Sequence, residues 1–562
     1  MSQRIPSPRS QSRIRVLSQQ KLETLVDRRK VLRAAGIGAV GGLGSQYVSL
    51  AGTTPRSRSY LQGAQDEELA IIIGTLGEAQ TINPWLASDS EAHWRCKILY
   101  DEFVRQNPVT FTPEPGIAAE WTVDDLVVTF TLQENVMFSD GSPLTADDIA
   151  FTLRGYIDTA TGSPSQSFFL SIEGAQAFAD GEADNVSGIT VIDEGTISLT
   201  LAQPDAALFY NLRLVWPQPR ALLEGQELGT TDHFQNPVGA GPYTFESWTG
   251  NDFIATANEH FWEAGKPAIQ RMTHRFIGDS QTLVLALQND EIDGSNYPNP
   301  AGIDLLEENE DLDLIVPPFS APDGWYFNCR HEVLGIKEVR QAIAMATDCE
   351  QFAADALLGL GQAGLGPIAP DSWAFDPTLE PIAYDPAAAR QLIDDAGVSG
   401  AQIRFQTNAG NVLREDWLTF TQQALEDIGI EVIPELMDFA TLLAAVTQNR
   451  DFEVSGVNHA GVVPEPSALW DQFHSTSSAN HCGLENAELD ALLDEARGTL
   501  DQEAAIPIYA DIQRIIMDEV QMHFAWYRPF LHTVNKTKFT GYQSSAAYGL
   551  FYYLQDWTAA AL

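Results

Sequence analysis

The residues of this sequence that could carry out chemistry do not occur at the spacings that catalysis requires. The chain contains none of the patterns G-x-S-x-G, H-E-x-x-H and G-x-x-x-x-G-K-[ST], which mark hydrolase nucleophiles, zinc proteases and phosphate-binding loops. Its ten histidines show no multi-histidine spacing typical of a metal site. With 77 acidic residues, chance carboxylate pairs are expected on the surface and do not indicate a glycoside hydrolase. The sequence therefore predicts no catalytic residue, no metal ligand and no cofactor.

Glycine-rich stretches and cysteines add little to this picture. Residues 36–41 and 359–364 match G-x-G-x-x-G, but the first match lies in the N-terminal segment that is assigned below to an export signal, and the second is not part of a β-α-β unit. Dinucleotide binding is therefore not expected. The four cysteines contain no C-x-x-C pair. In an exported protein they could form two disulfides in three pairings, or remain buried free thiols, and the sequence leaves both open. These cysteines are Cys96, Cys329, Cys349 and Cys482.

Charge is distributed very unevenly along the chain. Residues 1–58 hold eleven basic and two acidic residues, whereas the remainder holds 21 basic and 75 acidic residues, a net charge of −54. Such a surface repels nucleic acid and anionic lipid, so neither is expected as a partner. The apolar content of 44% is that of a folded protein. We interpret the composition as adaptation to high salt, where screening shortens to ~3 Å at 1 M; an acidic protein from a non-halophilic source is the alternative.

The N-terminal segment is predicted to be an export signal. Arg28 and Arg29 precede a charge-free, glycine- and alanine-rich stretch at residues 34–55. This pattern resembles a twin-arginine signal, so residues 1–58 are assigned to a signal and linker, and the protein to the periplasm or cell surface. Residues 50–53 read Leu-Ala-Gly-Thr, without the cysteine of a lipoprotein signal. Lipid anchoring is therefore not expected, and an uncleaved signal anchor stays open.

The clearest structural pattern lies between Gly116 and Asp158. Apolar and polar residues alternate over residues 127–132, which predicts a half-buried strand. The sequence Ser-Asp-Gly-Ser-Pro at residues 139–143 then predicts a turn. Thr145, followed three residues later by an aspartate, predicts a helix N-cap. The unit is therefore a strand, a tight turn and a capped helix.

The same order of residues resembles the extracytoplasmic solute-binding proteins of family 5, the peptide/nickel class that serves ABC importers. That family combines a Thr-Phe-x-Leu strand, a Phe-x-Asp-Gly turn and a Thr-Ala-x-Asp helix start, which residues 129–132, 138–141 and 145–148 match. A second match is Pro-Val-Gly-Ala-Gly-Pro-Tyr at residues 237–243. We assign it a structural role, because two prolines and two glycines fix a sharp reversal. Such matches extend from about residue 70 to residue 557.

The resemblance implies an α/β protein with the two-lobed periplasmic-binding-protein fold of the type II, three-domain peptide-binding class. A hinge joins the lobes, and its closure traps the solute. The implied domains after the signal are domain I of lobe 1 at residues 66–100, 237–318 and 531–562, domain II inserted in lobe 1 at residues 101–236, and domain III, forming lobe 2, at residues 319–530.

The resemblance also suggests which loop faces the solute. Peptide-binding relatives hold the peptide's amino group with an aspartate, and counting back from Pro466 places Val462 at that position. A valine cannot pair with an ammonium group, so a free peptide amine is not expected as a ligand unless Glu465 takes over. His459 stands where the family has tryptophan, and it could donate to a solute carboxylate or hydroxyl or ligate a metal complex. A loop histidine without ligand contact is the alternative.

Five further residues are candidates for the binding cleft by the same resemblance. Arg414 would suit a carboxylate, which it could bind in a bidentate manner. For the two phenylalanines, a place in the core is the alternative. The five are Ser88, Phe168, Phe169, Asn408 and Arg414.

The predicted function is therefore the extracytoplasmic solute-binding component of an ABC importer. A monomer would capture a peptide-like or other small polar solute by hinge closure and deliver it to a permease and ATPase complex in the membrane. We rank the solute as a peptide-like compound first, then an oligosaccharide, then a nickel or other chelate complex. The alternatives are a secreted hydrolase and a surface sensory receptor without a permease.

Overall fold

The computed structural model describes residues 69–561, apart from 109–111, 297, 299–301, 318–321, 359, 371, 457–465, 478, 500, 529–530 and 544–548. The predicted signal, with Arg28 and Arg29, lies outside the described residues. None of the helices in the described ranges combines the length and apolar composition that a membrane span needs.

The strands of the described residues, numbered in chain order, are β1 (Ala70–Thr75), β2 (Val104–Gln106), β3 (Pro113–Pro115), β4 (Ala118–Asp124), β5 (Val127–Leu132), β6 (Ile189–Asp193), β7 (Thr196–Thr200), β8 (Tyr243–Thr249), β9 (Asp252–Ala257), β10 (Arg271–Phe276), β11 (Gly294–Asn296), β12 (Leu312–Ile315), β13 (Pro322–Phe327), β14 (Gln362–Ala363), β15 (Gln402–Asn408), β16 (Glu431–Met437), β17 (Val454–Ser455), β18 (Met522–Tyr527), β19 (His532–Asn535), β20 (Phe539–Thr540) and β21 (Thr558–Ala559).

The α-helices of the same residues are α1 (Ser90–Tyr100), α2 (Ala146–Ile157), α3 (Ala175–Ala179), α4 (Leu208–Asn211), α5 (Arg220–Leu223), α6 (Ser280–Gln288), α7 (Ile303–Glu307), α8 (Lys337–Ala346), α9 (Cys349–Ala356), α10 (Pro386–Ala396), α11 (Val412–Ile428), α12 (Phe439–Ala444), α13 (Leu469–Phe473), α14 (Ala487–Gly498) and α15 (Gln502–Glu519).

Three large sheets organise these elements. The seven-stranded sheet has the order β12-β19-β11-β1-β10-β9-β8, and the six-stranded sheet has the order β14-β18-β13-β17-β15-β16. The antiparallel four-stranded sheet has the order β4-β5-β7-β6. In the first sheet β1 runs parallel to β10 and β11, and in the second β15 runs parallel to β16 and β17. The carboxyl ends of these parallel strands therefore share one edge of each sheet, which is where α/β proteins bind ligands.

Two adjacent crossings connect the seven-stranded sheet with the six-stranded sheet. The chain passes from β12 into β13, and it returns from β18 into β19. Strands β12 and β19 are antiparallel neighbours in one sheet, and β13 and β18 are antiparallel neighbours in the other. The two crossings therefore lie next to each other where they meet each sheet, an arrangement that suits a hinge between two lobes.

The strand, turn and capped helix predicted between Gly116 and Asp158 are confirmed. Strand β5 buries Val128 and Phe130, and α2 begins directly after Thr145. The backbone N–H and the hydroxyl of Thr145 donate to Asp148 Oδ2 at 2.8 and 2.9 Å. This reciprocal cap fixes the start of α2, whose apolar face packs on the four-stranded sheet.

Aspartates also cap many of the other helices. The side chains of Asp89, Asp279, Asp385 and Asp501 accept backbone N–H groups at the starts of α1, α6, α10 and α15. A carboxylate at this position satisfies a free donor and complements the positive end of the helix dipole. Part of the acidic excess therefore stabilises local structure rather than only covering the surface.

The motif at residues 237–243 packs against the end of α1. The N–H of Gly241 donates to Leu99 O at 2.9 Å, and a Cβ at Gly241 would lie 2.5 Å from Ile98 O. Gly239 approaches the same turn equally closely. Only glycine fits here, because the loop backbone lies directly on the last carbonyl groups of the helix. The motif therefore joins helix α1 to the start of β8.

Candidate functional site

Polar side chains gather where β15 and β17 end and β13 begins. Asn408 is the last residue of β15, and the neighbouring parallel strand β17 ends at Ser455. Strand β13 runs antiparallel to β17, so Asp323, near its start, reaches the same edge. That edge also adjoins the crossing from β12 to β13. It is therefore a candidate binding edge on the six-stranded sheet.

Arg414 joins these side chains. It lies in the first turn of α11, whose N-cap, Asn411, accepts the Arg414 backbone N–H at 3.2 Å. Its Nη1 donates to Asn408 Oδ1 at 3.1 Å, and its Nε and Nη2 donate to Asp323 Oδ2 at 3.4 and 3.3 Å. The side chains of Arg414 and Asp323 are 11% and 5% exposed. The structure thus brings together the predicted residues Asn408 and Arg414, and it adds Asp323, which the sequence analysis missed.

The loop expected to face the solute begins beside this cluster. The N–H of Gly456 donates to Gln406 O at 2.8 Å, which holds the chain after β17 against β15. Residues 457–465 follow, so the candidates His459, Val462 and Glu465 lie outside the described residues. What the structure shows is therefore where this loop starts.

Asn296 occupies the corresponding edge of the seven-stranded sheet. It ends β11 and lies opposite His532, the first residue of β19, next to the second crossing. Its side chain is almost fully buried, and Oδ1 accepts the Leu550 N–H at 3.4 Å. Its Nδ2 has no hydrogen-bond partner among the described residues. A buried amide donor is thus available close to the hinge, and the sequence analysis did not identify it.

The three remaining candidates lie in the first part of the chain. Ser88 is exposed in the loop between β1 and α1, one residue before the N-cap of that helix. Phe168 is half-buried and packs against the cores of both the four-stranded and the seven-stranded sheets. Phe169 is fully buried, and its ring centre lies 5.3 Å from that of Tyr156. Phe169 is therefore part of the hydrophobic core.

The first turns of α1 hold two titratable groups close to Ser88, the buried Glu91 and the partly buried His93. Burial raises the pKa of Glu91 to about 7, opposed by Arg95, whose Nη1 donates to Glu91 Oε2 at 3.0 Å. Burial, with the positive charge of Arg213, lowers the pKa of His93 to about 4. Within the described part of the chain, no group of three or more His, Cys, Asp or Glu residues could hold a metal ion.

A separate contact links the loop after β7 with α14, a helix whose buried apolar residues share a hydrophobic core with strands β13 and β18. Arg497 Nε donates to Asp205 Oδ1 at 3.2 Å, and the N–H of Ala206 donates to Arg497 O at 2.9 Å. The Asp205 side chain is fully buried, and the Arg497 guanidinium also lies over the ring of Trp470 at 4.7 Å. The structure thus holds the two parts together by a buried ion pair and a backbone hydrogen bond.

Comparison with known proteins places this geometry in a family. A family model described as bacterial extracellular solute-binding proteins, family 5 middle, matches residues 112–481. The chain belongs to this family. Family 5 members capture solutes for ABC importers, and the resemblance inferred from residues 116–158 and 237–243 is therefore confirmed.

Two named relatives of this family 5 chain are binding proteins. The probable D,D-dipeptide-binding periplasmic protein DdpA of Escherichia coli (strain K12) is 24% identical over 487 residues, covering 83% of this chain and 90% of DdpA. The glutathione-binding protein GsiB of Salmonella typhi is 27% identical over 470 residues, covering 80% of this chain and 87% of GsiB. The family and these relatives support solute binding and do not support the hydrolase or the sensory receptor.

Solved structures of family 5 proteins share the fold. The oligopeptide-binding protein AppA of Bacillus subtilis, in complex with a nonapeptide, gives a TM-score of 0.76 at 22% identity and covers 88% of this chain and 99% of its own. NikZ of Campylobacter jejuni, in complex with Ni(L-His), gives 0.75 at 21% identity, covering 87% and 99%. The predicted α/β, two-lobed, type II fold is thus confirmed.

Proposed function

We propose that this family 5 protein captures a peptide-like solute outside the cytoplasm, as a monomer, and delivers it to an ABC permease and ATPase complex. The observation that carries the choice of solute is the cluster of Arg414, Asp323 and Asn408 beside the hinge. The names of the relatives DdpA, AppA and GsiB, which refer to a dipeptide, oligopeptides and glutathione, support the same class.

Arg414 is suited to hold a carboxylate of such a solute. A guanidinium has five N–H donors, and three of them serve Asp323 and Asn408 here. One N–H donor remains on each of the two terminal nitrogens. Two such donors can bind a carboxylate with two parallel hydrogen bonds. Because Asp323 balances the charge of Arg414, the guanidinium can stay largely desolvated until the solute arrives.

Amide groups near the hinge would recognise the backbone of the solute. Asn408 offers an amide beside Arg414, and Asn296 offers the unpartnered Nδ2 at the end of β11 in the seven-stranded sheet. His459, Val462 and Glu465 on the loop after β17, and Ser88 and Phe168 from the first part of the chain, complete the proposed lining. Closure about the two crossings would then remove water from these contacts and strengthen them.

The test is binding of a matched pair of peptides, one with a free carboxylate and one with a C-terminal amide. In molar salt we expect the free acid to raise the melting temperature, since ligand at 100 times its Kd adds ~2.7 kcal/mol of stability. The amide should bind at least about tenfold more weakly, because it cannot form the charge-assisted pair with Arg414. Arg414→Gln should remove this preference, whereas Arg271→Gln, at a partly exposed arginine of β10, should keep it.

Three outcomes would contradict the proposed function. Equal affinity for acid and amide would exclude the assigned role of Arg414. A thermal shift only with oligosaccharides or nickel chelates would replace the peptide-like solute by one of those classes. Recovery of a cleaved solute would instead indicate an enzyme.

A further inference from the structure

Two of the four cysteines are neighbours in the folded chain. Cys329 follows β13, and Cys482 lies in the loop before α14. The N–H of Cys329 donates to Cys482 O at 2.9 Å. The covalent geometry on either side of one such hydrogen bond keeps the two Cα atoms within about 7 Å of each other, and disulfides span Cα separations of about 4.4–6.8 Å. The backbone contact therefore brings the two cysteines within reach of a disulfide.

The two thiols also share their immediate surroundings. Cys329 Sγ lies 3.7 Å from Phe327 O, and Cys482 Sγ lies 3.4 Å from Gln521 O. Phe327 and Gln521 are themselves joined, because the Phe327 N–H donates to Gln521 O at 3.1 Å. Burial is the main cause that raises the pKa of the Cys482 thiol, and the nearby Cys329 thiol is the second. The two sulfur atoms thus lie beside the carbonyl groups of two residues that are hydrogen-bonded to each other on neighbouring segments.

The other two cysteines have different neighbours. Cys96 is fully buried in the core of the seven-stranded sheet. Cys349 belongs to the six-stranded lobe, but its Sγ contacts His523 Nε2 at 3.3 Å. Of the three pairings that the sequence left open, the backbone contact selects a single bond and leaves Cys96 and Cys349 as thiols.

We propose that Cys329 and Cys482 form a structural disulfide when the protein meets an oxidising compartment, an expectation that rests on the export included in the proposed function. Both are free thiols in the structure. The oxidant is a protein or small-molecule disulfide. The thiolate of Cys329, the more exposed of the two, attacks one sulfur of the oxidant and releases the other as a thiol. Cys482, deprotonated in turn, then displaces the remaining sulfur, so two thiols lose two protons and two electrons and the oxidant is reduced to two thiols.

The disulfide would fasten the loop that carries α14 to the end of β13. It closes a chain loop that includes α8 to α13 and β14 to β17, and such long loops gain the most from a cross-link that constrains the unfolded chain. Because α14 carries Arg497, the disulfide would also hold in place the helix that makes the contact with Asp205. Cys482 is 3% exposed, so the finished bond would resist reduction.

The experiment uses the purified full chain and does not depend on export or on solute binding. The reduced protein is incubated with oxidised glutathione, its remaining thiols are alkylated, and its peptides are mapped without reduction. We expect one linked pair of peptides, containing Cys329 and Cys482, and complete alkylation of Cys96 and Cys349 after unfolding. Alkylation of all four cysteines, or a link that includes Cys96 or Cys349, would overturn the proposal.

A second measurement keeps the proposal testable if mapping is incomplete. Reductant should lower the melting temperature of the oxidised wild type by roughly 5 °C, given the size of the closed loop. It should leave the Cys329→Ser/Cys482→Ser double variant unchanged. An equal effect of reductant on both proteins would contradict the disulfide. Failure to bind peptides in the same preparation would bear on the proposed function alone.

Discussion

Asp323 shows how a residue that need not touch the solute can control its binding. Its Oδ2 accepts two N–H groups of Arg414, and its Oδ1 accepts the N–H of Gly324 at 3.1 Å. The backbone N–H of Gly324 therefore fixes the carboxylate, and the carboxylate in turn fixes the guanidinium of Arg414. Asp323 is a positioning residue for Arg414 in the proposed site.

Replacing Asp323 by asparagine should weaken binding of free-acid peptides by roughly tenfold, because the guanidinium loses its charged acceptor and its fixed orientation. Calorimetric titration of the free-acid and amidated peptides measures this, and the amide should be nearly unaffected. Asp252→Asn, which removes the partner of Arg275 in the seven-stranded sheet, is the matched control. A similar loss for acid and amide would show that Asp323 supports only the general stability of the site.

Sequence reasoning identified part of this cluster. Asn408 and Arg414 follow from the family resemblance, since a strand end and the next helix start supply them. Asp323 was missed because its contact with Arg414 spans 91 residues and no local pattern marks it. Asn296 was missed because a buried amide at a short strand end has no sequence signature. The sequence did not distinguish Phe169, which lies in the core, from Phe168, because adjacent aromatic residues give no indication of which side chain points inward.

Among the helices and turns, the sequence is most informative where capping and turn chemistry agree. Thr145 and Asp148 marked the start of α2 because a reciprocal cap needs both residues at that spacing. The reversal at residues 237–243 was recognised as structural, but its contact with the end of α1 depends on tertiary packing. The predicted division into domains I, II and III stays a prediction, although the described chain contains three large sheets.

Gly241 tests the packing of this reversal on α1. Gly241→Ala would place a methyl group against Ile98 O and the Leu99 backbone, so we expect a loss of about 1–3 kcal/mol in the free energy of unfolding. Denaturant unfolding at fixed salt measures it. Gly498→Ala, in the last turn of α14 where a Cβ meets nothing within 4 Å, is the control and should be neutral or slightly stabilising. Equal stability of Gly241→Ala and wild type would show that the loop can move away from the helix.

The net charge of the molecule opposes the contact between its parts. Residues 59–562 carry a net charge of −54, and closing two acidic surfaces on each other increases repulsion unless salt screens it. High-salt adaptation, which stays a prediction, would make closure easier. The buried pair of Arg497 with Asp205 supplies a specific attraction at one place. The balance of these effects should set the population of the closed form.

Arg497→Gln should shift the molecule toward open forms, because Asp205 would stay buried and uncompensated in the closed form but would be hydrated in an open one. Peptide affinity should fall by roughly tenfold through the smaller closed population, without a change in the preference for free acid over amide. Small-angle scattering without solute should show a larger radius of gyration, and more so at low salt. Arg514→Gln, which breaks a pair with Asp376 within one lobe, should change neither quantity. An unchanged radius and affinity in Arg497→Gln would mean that the crossings alone determine closure.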